Sequence, residues 1–351
     1  GAFRETAAGL RAPARADADP PDPARVALLA QEEAFANGIT SFHDAGVSFE
    51  TVDLYRDLVD AGELKIRLYV MIRADNAELA EKMEDYTLVG YGDHRLTVRA
   101  IKKSIDGALG SHGAWLLEPY ADLPSSTGLN TVPPAAVREA AELALRHGWQ
   151  LCVHAIGDRA NRETLDIFEA AYHSADAEDL RWRIEHAQHL HPDDVARFGE
   201  LGVVAAVQAV HATSDGPWVE AKLGPERTAA GAYVWQDLLR TGAVVSNGTD
   251  APVEDVSPIA SYHSSVTRVM GNGERFYPEQ RMSRVEALRS YTLAGAYAAF
   301  QEELTGSLVP GKLADITVLD TDLLEASEEE VARARVLATV VGGEVVYRGG
   351  S

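Results

Sequence analysis

The sequence predicts an α/β fold of the (β/α)8 barrel type, because short apolar runs alternate with helical segments along most of the chain. Seven runs rich in β-branched residues are typical of strands, and most of the helical segments between them end at a glycine. Several runs are almost continuously apolar, as expected for parallel strands that helices cover on both faces. The predicted strands are residues 38–46, 65–72, 96–105, 149–158, 181–188, 202–210 and 242–252, and the predicted helices include 50–62, 134–147, 159–172 and 192–201.

Seven units are one fewer than the eight that close a barrel, and a doubly wound open sheet is the alternative architecture. We expect the barrel, with its first strand missing from this chain. The chain begins at Gly1 rather than at a methionine, which we interpret as a sign that the sequence is a processed or truncated piece.

The two ends of the chain depart from the alternating pattern. The first residues include a tract of Pro, Ala and Asp with little apolar surface, which is typical of a linker. After the helix predicted at 285–300, three strands follow without helices between them, and Gly342-Gly343 indicates a hairpin turn. Three strands alone make a poor sandwich. The predicted divisions are a linker remnant over 1–24, a barrel over 25–300 and a partial β-sandwich subdomain over 301–351.

The composition is strongly acidic. The 54 Asp and Glu residues outnumber the 32 Lys and Arg residues, and the formal net charge of -22 repels nucleic acids and anionic membrane surfaces. No apolar run is long enough to span a bilayer, and the single Cys152 fits a reducing compartment. We therefore expect a cytoplasmic protein that acts on a small molecule, without a nucleic-acid or membrane partner.

Residues that can bind metals recur at the ends of the predicted strands. His154, His186 and Asp250 each end a strand, and Lys102 lies late in another. Barrel enzymes carry their active sites at the carboxyl ends of the strands. Two imidazoles and a carboxylate suit Zn²⁺, Mn²⁺, Fe²⁺ or Ni²⁺, and Zn²⁺ is the commonest of these in hydrolytic sites. The pattern predicts a metal site there.

The order Lys, His, His, Asp on successive strands resembles the amidohydrolase superfamily. Longer segments resemble its amidohydrolase-3 branch, which includes the YtcJ-like hydrolases and the N-substituted formamide deformylases. The similarity runs from about residue 30 to the C-terminus. The segments that carry it are 101–116, 153–161, 184–188, 207–227, 246–254, 278–292 and 306–320.

The resemblance implies roles for four residues. His154 and His186 would bind a metal, and Lys102, if carboxylated by CO2, would bridge two metals. Asp250 would bind metal and serve as the general base that passes the proton of water to the leaving nitrogen. Asp250, Lys102 and His186 are thus the candidate catalytic residues of a zinc-dependent hydrolase of C–N bonds with one or two metal ions. Relatives of this kind often pair, so a homodimer is the implied assembly.

One part of the family pattern is missing. The first barrel strand, which in the family carries an HxH pair of metal ligands, does not occur in the sequence. His189 and His191 have the same spacing, but they follow the strand that ends at His186, and we interpret them as loop residues. Without the pair, the alternative is a non-catalytic barrel scaffold. A metal-free hydrolase that uses paired carboxylates, such as Glu185 and Asp106, is a second alternative.

Several other polar residues are candidates for the substrate pocket. His211, Asp215, Trp218 and Arg227 follow the sixth predicted strand, and exposed loop positions are the alternative for them. His112 is a weaker candidate. Two assignments stay open in the sequence. Asp106 is either a carboxylate that orders a loop or a member of the carboxylate pair named above. His43 and Asp44 are either pocket residues or capping residues.

Overall fold

The structure is a computed structural model that describes residues 21–175 and 179–350. Most of the predicted linker over 1–24 therefore lies outside the described residues. A helix begins already at Pro23, where the Asp22 side chain accepts a hydrogen bond from the backbone N–H of Ala24.

The main sheet has eight strands, and all of them except the short β3 are parallel. Its strands are β1 (Ser41–Val47), β2 (Arg67–Ile72), β3 (Leu88–Gly90), β4 (Leu96–Ser104), β5 (Gln150–Ala155), β6 (Arg183–His186), β7 (Val204–Val207) and β8 (Val245–Asn247).

The sheet is an open half-barrel. The parallel strands lie in the order β1-β2-β4-β5-β6-β7-β8, and only the short β3 pairs antiparallel, with β4. Within the described residues, β1 and β8 are the two edge strands, and each pairs with a neighbour on one side only. The expectation of a barrel short of one strand is confirmed. In a doubly wound sheet, the spatial order of the strands reverses partway along the chain. Here the spatial order of the parallel strands follows the chain order throughout.

Helices surround the sheet and supply the crossovers between parallel strands. Those before β8 are α1 (Pro23–Ala36), α2 (Phe49–Asp60), α3 (Asn76–Lys82), α4 (Tyr91–His94), α5 (Pro134–His147), α6 (Asp158–Ser174), α7 (Pro192–Leu201), α8 (Ala209–Ser214), α9 (Gly216–Leu223), α10 (Pro225–Gly231) and α11 (Trp235–Arg240). Those after β8 are α12 (Pro258–Thr267), a 3-10 turn (Pro278–Gln280), α13 (Arg284–Tyr291), α14 (Leu293–Ala298) and α15 (Glu328–Val331).

Two boundaries differ from the sequence prediction. The strand predicted over 202–210 ends at Val207, and the apolar residues that follow it begin α8. A short apolar run does not distinguish a buried strand from a buried helix. The single helix predicted over 285–300 is interrupted at Thr292, whose φ of -124° and ψ of -88° are not helical.

The C-terminal strands form a separate antiparallel sheet. It consists of β9 (Ile316–Leu319), β10 (Val336–Val341) and β11 (Glu344–Arg348), in the order β11-β10-β9. Helix α1 lies against β10 and β11, and the Thr339 hydroxyl donates to the Phe35 carbonyl at 2.7 Å. In the described part of the chain, the predicted partial sandwich is therefore a single sheet with a helix behind it.

The core lies between the sheet and its helices, with a second, smaller group of residues inside the half-barrel. All six residues of β2 are buried, which explains its continuous apolar sequence. The inner group consists of Tyr69, Met71, Ala100, Cys152 and Ala299. No helix in the described ranges is both long enough and apolar enough to cross a membrane.

Candidate metal centre

Two histidines lie side by side at the carboxyl ends of β5 and β6. His154 is one residue from the end of β5, and His186 ends β6. Their ring centroids are 4.4 Å apart and the ring planes meet at 73°. His186 has a φ of 80°, in the left-handed region that few residues other than glycine adopt. The backbone therefore changes direction where the His186 imidazole leaves the strand.

His211 and Asp250 join this pair from the next two strands. His211 lies in α8, directly after β7, and Asp250 follows β8. In His186, His211 and Asp250, the side-chain atoms that could bind a metal all lie within 4.8 Å of one another. His211 Nε2 is 3.6 Å from Asp250 Oδ2. We call His154, His186, His211 and Asp250 the strand-end cluster.

Two glutamine amides set the tautomers of the cluster. Gln208 Nε2 donates to the Ala206 carbonyl at 3.1 Å, which turns Oε1 of the same amide toward His186 Nδ1 at 2.7 Å. His186 therefore carries its proton on Nδ1 and has a lone pair on Nε2. Gln188 Nε2 donates to His211 Nδ1 at 2.9 Å, so that His211 carries its proton on Nε2. The first ring is prepared as a metal ligand and the second as a hydrogen-bond donor.

Two ring nitrogens in the cluster are buried without a hydrogen bond. They are His154 Nε2 and His211 Nε2. His211 Nε2 carries the proton that Gln188 sets and lacks an acceptor, whereas the ring nitrogen of His154, like His186 Nε2, can offer a lone pair. Imidazole nitrogens and a carboxylate are the donor set that a divalent transition metal uses. The residues present therefore fit a metal ion.

Burial controls the charges around the cluster. It lowers the pKa of Lys102 to about 8, although the Glu185 carboxylate acts in the opposite direction. The pKa of His186 lies well below its usual range because of burial, with further contributions from His154, Lys102 and His211. Burial raises the pKa of Asp250, although the same cations oppose this. The site therefore holds a neutral imidazole and a carboxylate of increased basicity.

Asp106 organises the loop beside the cluster. This residue is 2% exposed and accepts three backbone hydrogen bonds, from Ile156 at 3.0 Å, Gly157 at 2.8 Å and Trp115 at 2.9 Å. Its Oδ1 also lies 3.4 Å from His154 Nε2, where the geometry does not make a hydrogen bond. Of the roles considered from the sequence, the structure shows the carboxylate that orders a loop.

Asp215 lies near His211 of the cluster, and Trp218 packs against the segment that follows β4. The Tyr233 hydroxyl donates to Asp215 Oδ2 at 2.7 Å, and burial raises the pKa of Asp215, which His211 influences in the opposite sense. The Trp218 ring packs on Gly110, where an added Cβ would lie 3.1 Å from the indole. A side chain at 110 would therefore require the indole to shift by a few tenths of an ångström.

His112 and Arg227 serve as loop anchors in this structure, and none of their hydrogen bonds reaches the cluster. His112 Nε2 lies 3.0 Å from Asp122 Oδ1 and 2.9 Å from Lys222 Nζ. The Arg227 guanidinium donates to three backbone carbonyls, those of Leu223, Glu118 and Pro119. A place for the two residues in the substrate pocket stays a prediction, and the sequence did not indicate the backbone acceptors of Arg227.

His189 and His191 are loop residues, as interpreted from the sequence. His191 precedes α7, and its ring accepts a hydrogen bond from the backbone N–H of Asp193. His189 is buried, with its ring 5.4 Å from that of Tyr233. Neither belongs to the group of residues placed to bind a metal.

Sequence reasoning did not find the residues that support the cluster. Gln188 and Gln208 follow the ends of β6 and β7, and their positions after strands were the available signal. Arg183 Nη1 donates to His43 Nδ1 at 2.9 Å inside the half-barrel, and Tyr55 donates to Asp44 Oδ2 at 2.7 Å. His43 therefore faces inward, and Asp44 has a structural partner.

The architecture agrees with the comparison to known families. The model of the amidohydrolase family matches residues 3–347. The chain belongs to the amidohydrolase family. The resemblance inferred from the sequence to its amidohydrolase-3 branch is confirmed.

Individual amidohydrolase relatives cover most of this chain. It is 35% identical to Protein LONG AFTER FAR-RED 3 of Arabidopsis thaliana, over 93% of this chain and 58% of that protein. It is 26% identical to the N-substituted formamide deformylase of Arthrobacter pascens, over 89% of this chain and 58% of that enzyme. The crystal structure of an uncharacterized metal-dependent hydrolase from Pyrococcus furiosus superimposes with a TM-score of 0.77 at 30% identity, over 92% of this chain and 65% of that chain. This amidohydrolase chain thus spans less than two thirds of the length of each of these proteins.

Proposed function

We propose that this protein is a metal-dependent amidohydrolase that uses a metal-activated water to hydrolyse a C–N bond in a small amide or formamide. The observation that carries the proposal is that possible ligand atoms of His186, His211 and Asp250 lie within 4.8 Å of one another, with the His154 ring beside that of His186, in a chain of this family. The metal-dependent hydrolase that it resembles in structure supports the reaction type. The formamide deformylase relative supports the bond type.

His154, His186 and Asp250 would hold the metal, with Lys102 beside them. A divalent ion bound there would lower the pKa of a water molecule and polarise a carbonyl group. Zinc is the ion we propose, because imidazole and carboxylate ligands suit it and hydrolysis needs no redox chemistry. Lys102 can serve as a carboxylated ligand only if its amine is neutral when CO2 reacts, and its buried position favours the neutral form.

Asp250 would act as the general base. Burial raises its pKa, which makes the carboxylate a better proton acceptor than one in water. The proton taken from water would pass to the leaving nitrogen, because an amine leaves more readily than its anion. His211, with a proton on Nε2 and its ring 3.6 Å from Asp250 Oδ2, would hold the carboxylate or a substrate oxygen.

The metal-free alternative finds little support in the positions of its two carboxylates. Asp106 accepts three backbone hydrogen bonds, and Glu185 is paired with Arg183. Both carboxylates are thus held by partners within the fold, which leaves little room for either to act as a general acid on a substrate. The non-catalytic scaffold stays the main alternative, since β1 and β8 are unpaired edges in the described part of the chain.

The test combines metal content with activity. The full chain, purified after zinc supplementation, is assayed for zinc per chain and for release of amine from a panel of N-substituted formamides and simple amides. We expect at least one zinc per chain, amine release, and loss of both in His186→Ala. A folded chain that takes up no metal and releases no amine would identify the scaffold.

A matched histidine controls for nonspecific zinc binding. His173 lies on α6, outside the strand-end cluster, and is not buried. His173→Ala should keep both the zinc content and the amine release of the parent chain. Equal zinc loss in the two variants would mean that the metal binds elsewhere.

A further inference from the structure

An arginine lies at the carboxyl end of the half-barrel, above the inner group of buried residues. Arg73 directly follows β2. Side chains alternate along a strand, so Arg73 points to the same side of the sheet as Tyr69 and Met71 of the inner group. Ala100 of that group places Ser104 on the inner side of β4 in the same way. The two side chains meet there, because Arg73 Nη1 donates to Ser104 Oγ at 3.3 Å.

The guanidinium of Arg73 lies close to the strand-end cluster. Ser104 pairs in register with His154, and neighbouring strands lie about 4.8 Å apart. On its other side, the guanidinium covers β1 at Gly46, where an added Cβ would lie 2.6 Å from Arg73 Nε. Gly46 has a φ of 131°, which residues other than glycine rarely adopt. Arg73 therefore extends over the ends of β1, β2 and β4, one strand away from His154.

The charge of Arg73 has no carboxylate partner in the described part of the chain. Its side-chain hydrogen bond goes to the neutral hydroxyl of Ser104. Partial burial lowers the pKa of Arg73, and no acidic group among the described residues opposes this. Arg67, on the same strand, differs because it is paired with Asp315. Residue 73 is exposed, so its remaining N–H donors are accessible to a solute beside the cluster.

We propose that Arg73 binds a carboxylate group of the substrate while the C–N bond lies at the strand-end cluster. This inference rests on the proposed function, because it names the class of amide that the cluster receives, a formamide or amide that carries a carboxylate. A guanidinium binds a carboxylate through two parallel N–H···O bonds, which fix the orientation of the bound molecule. One guanidinium also matches the single charge of a carboxylate. The hydrogen bond to Ser104 holds the guanidinium in place.

The test compares anionic and neutral substrates of equal size. N-formylglycine, N-formyl-β-alanine and N-formyl-γ-aminobutyrate are each paired with the corresponding primary amide, which lacks the charge. For at least one chain length, we expect the full chain with zinc to prefer the carboxylate by about tenfold or more in kcat/KM, as a hydrogen bond to a charged group typically contributes. Arg73→Met should reduce this preference by about tenfold or more. Arg73→Lys should retain part of it, because lysine keeps the charge but lacks the planar fork.

The matched control removes an arginine from the opposite end of the sheet. Arg99 on β4 donates to the Gly148 carbonyl, just before β5, and it too forms no ion pair with a carboxylate among the described residues. Arg99→Met should keep the preference for the carboxylate. An equal loss of preference in Arg73→Met and Arg99→Met would mean that net charge, rather than the position of Arg73, sets the preference, and the proposal would be wrong.

Direct binding separates this inference from the proposed function. A parent chain that releases amine neither from these compounds nor from the neutral panel contradicts the proposed function, and calorimetric titration with the same pairs then decides the role of Arg73. Tighter binding of a carboxylate than of its amide, lost in Arg73→Met, supports the inference.

Three results would overturn the inference. They are a folded parent chain that neither prefers nor binds more tightly the carboxylate of any pair, a preference that Arg73→Met retains in full, and one that Arg99→Met loses equally. If Arg73→Met does not fold, Arg73→Gln provides the same comparison, because its amide is also uncharged.

Discussion

At the scale of single residues, the strand-end cluster depends on which ring nitrogen carries a proton. The glutamine amide at 208 leaves a lone pair on His186 Nε2, and the amide at 188 places a proton on His211 Nε2. Two chemically identical side chains thus have different roles, ligand and donor. Replacing a group that orients a metal ligand in this way typically lowers metal affinity by about tenfold to a hundredfold.

The first prediction concerns the amide that orients His186. Gln208→Leu removes the acceptor for Nδ1–H, so the ring is free to rotate or to change tautomer. We expect zinc affinity to fall by about tenfold to a hundredfold, measured by competition with a chromophoric chelator. Gln236→Leu is the control, because that amide bonds to Arg281 and Glu286 outside the cluster. Equal affinities in the two variants would show that Gln208 does not orient the ligand.

The sequence predicted members of the strand-end cluster, but not the residues that support them. His154, His186 and Asp250 could be found because each follows a readable apolar strand, and parallel strands bring their carboxyl ends together. His211 was expected in a pocket, and its proton on Nε2 agrees with a donor there. Arg183, Gln188 and Gln208 could not be assigned, because their roles depend on contacts between strands that are distant in the sequence.

At the scale of elements, the segment between β4 and α5 is the longest connection at the carboxyl end of the half-barrel. It contains residues 105–133 and no helix or strand. One carboxylate orders it, because Asp106 accepts N–H groups from Trp115 within the segment and from Ile156 and Gly157 after β5. The sequence offered Asp106 as a carboxylate that orders a loop, but it did not indicate which backbone N–H groups the carboxylate holds.

The second prediction tests this carboxylate. Asp106→Ala leaves three buried N–H groups without an acceptor, and we expect the free energy of unfolding in urea to fall by about 3 kcal/mol or more. Asp122→Ala is the matched control on the same segment. The Asp122 side chain is 34% exposed and pairs with Lys222, so its loss should cost less than about 1 kcal/mol. Similar losses in both variants would contradict the ordering role of Asp106.

At the scale of the whole molecule, the small antiparallel sheet is fastened to the half-barrel by a buried ion pair. Arg67 on β2 contacts both oxygens of Asp315 just before β9, at 2.6 and 3.0 Å, and Asp315 also accepts the backbone N–H of Gly342. The sequence indicated two regions, because strands without intervening helices follow a long alternating pattern. It did not indicate what joins them, since a charged residue inside a strand gives no sign of its partner.

The third prediction concerns this junction. Arg67→Met leaves a buried carboxylate without its cation, and we expect the free energy of unfolding to fall by about 3–5 kcal/mol in urea titrations. Arg335→Met is the control. Arg335 pairs with Asp320 at 2.8 Å, but its side chain is 71% exposed, so the change should stay below about 1 kcal/mol. If the two variants were equally stable, the buried pair would not be a major link between the two regions.

The central claim is that His154, His186 and Asp250 share one metal ion. Anomalous diffraction at the zinc absorption edge, from crystals of the full chain grown with zinc, locates such an ion directly. We expect a peak within bonding distance of a ring nitrogen of each histidine and of an Asp250 carboxylate oxygen, about 2.0–2.2 Å away. A zinc peak only at other residues, or no peak in crystals of the folded chain, would contradict the claim.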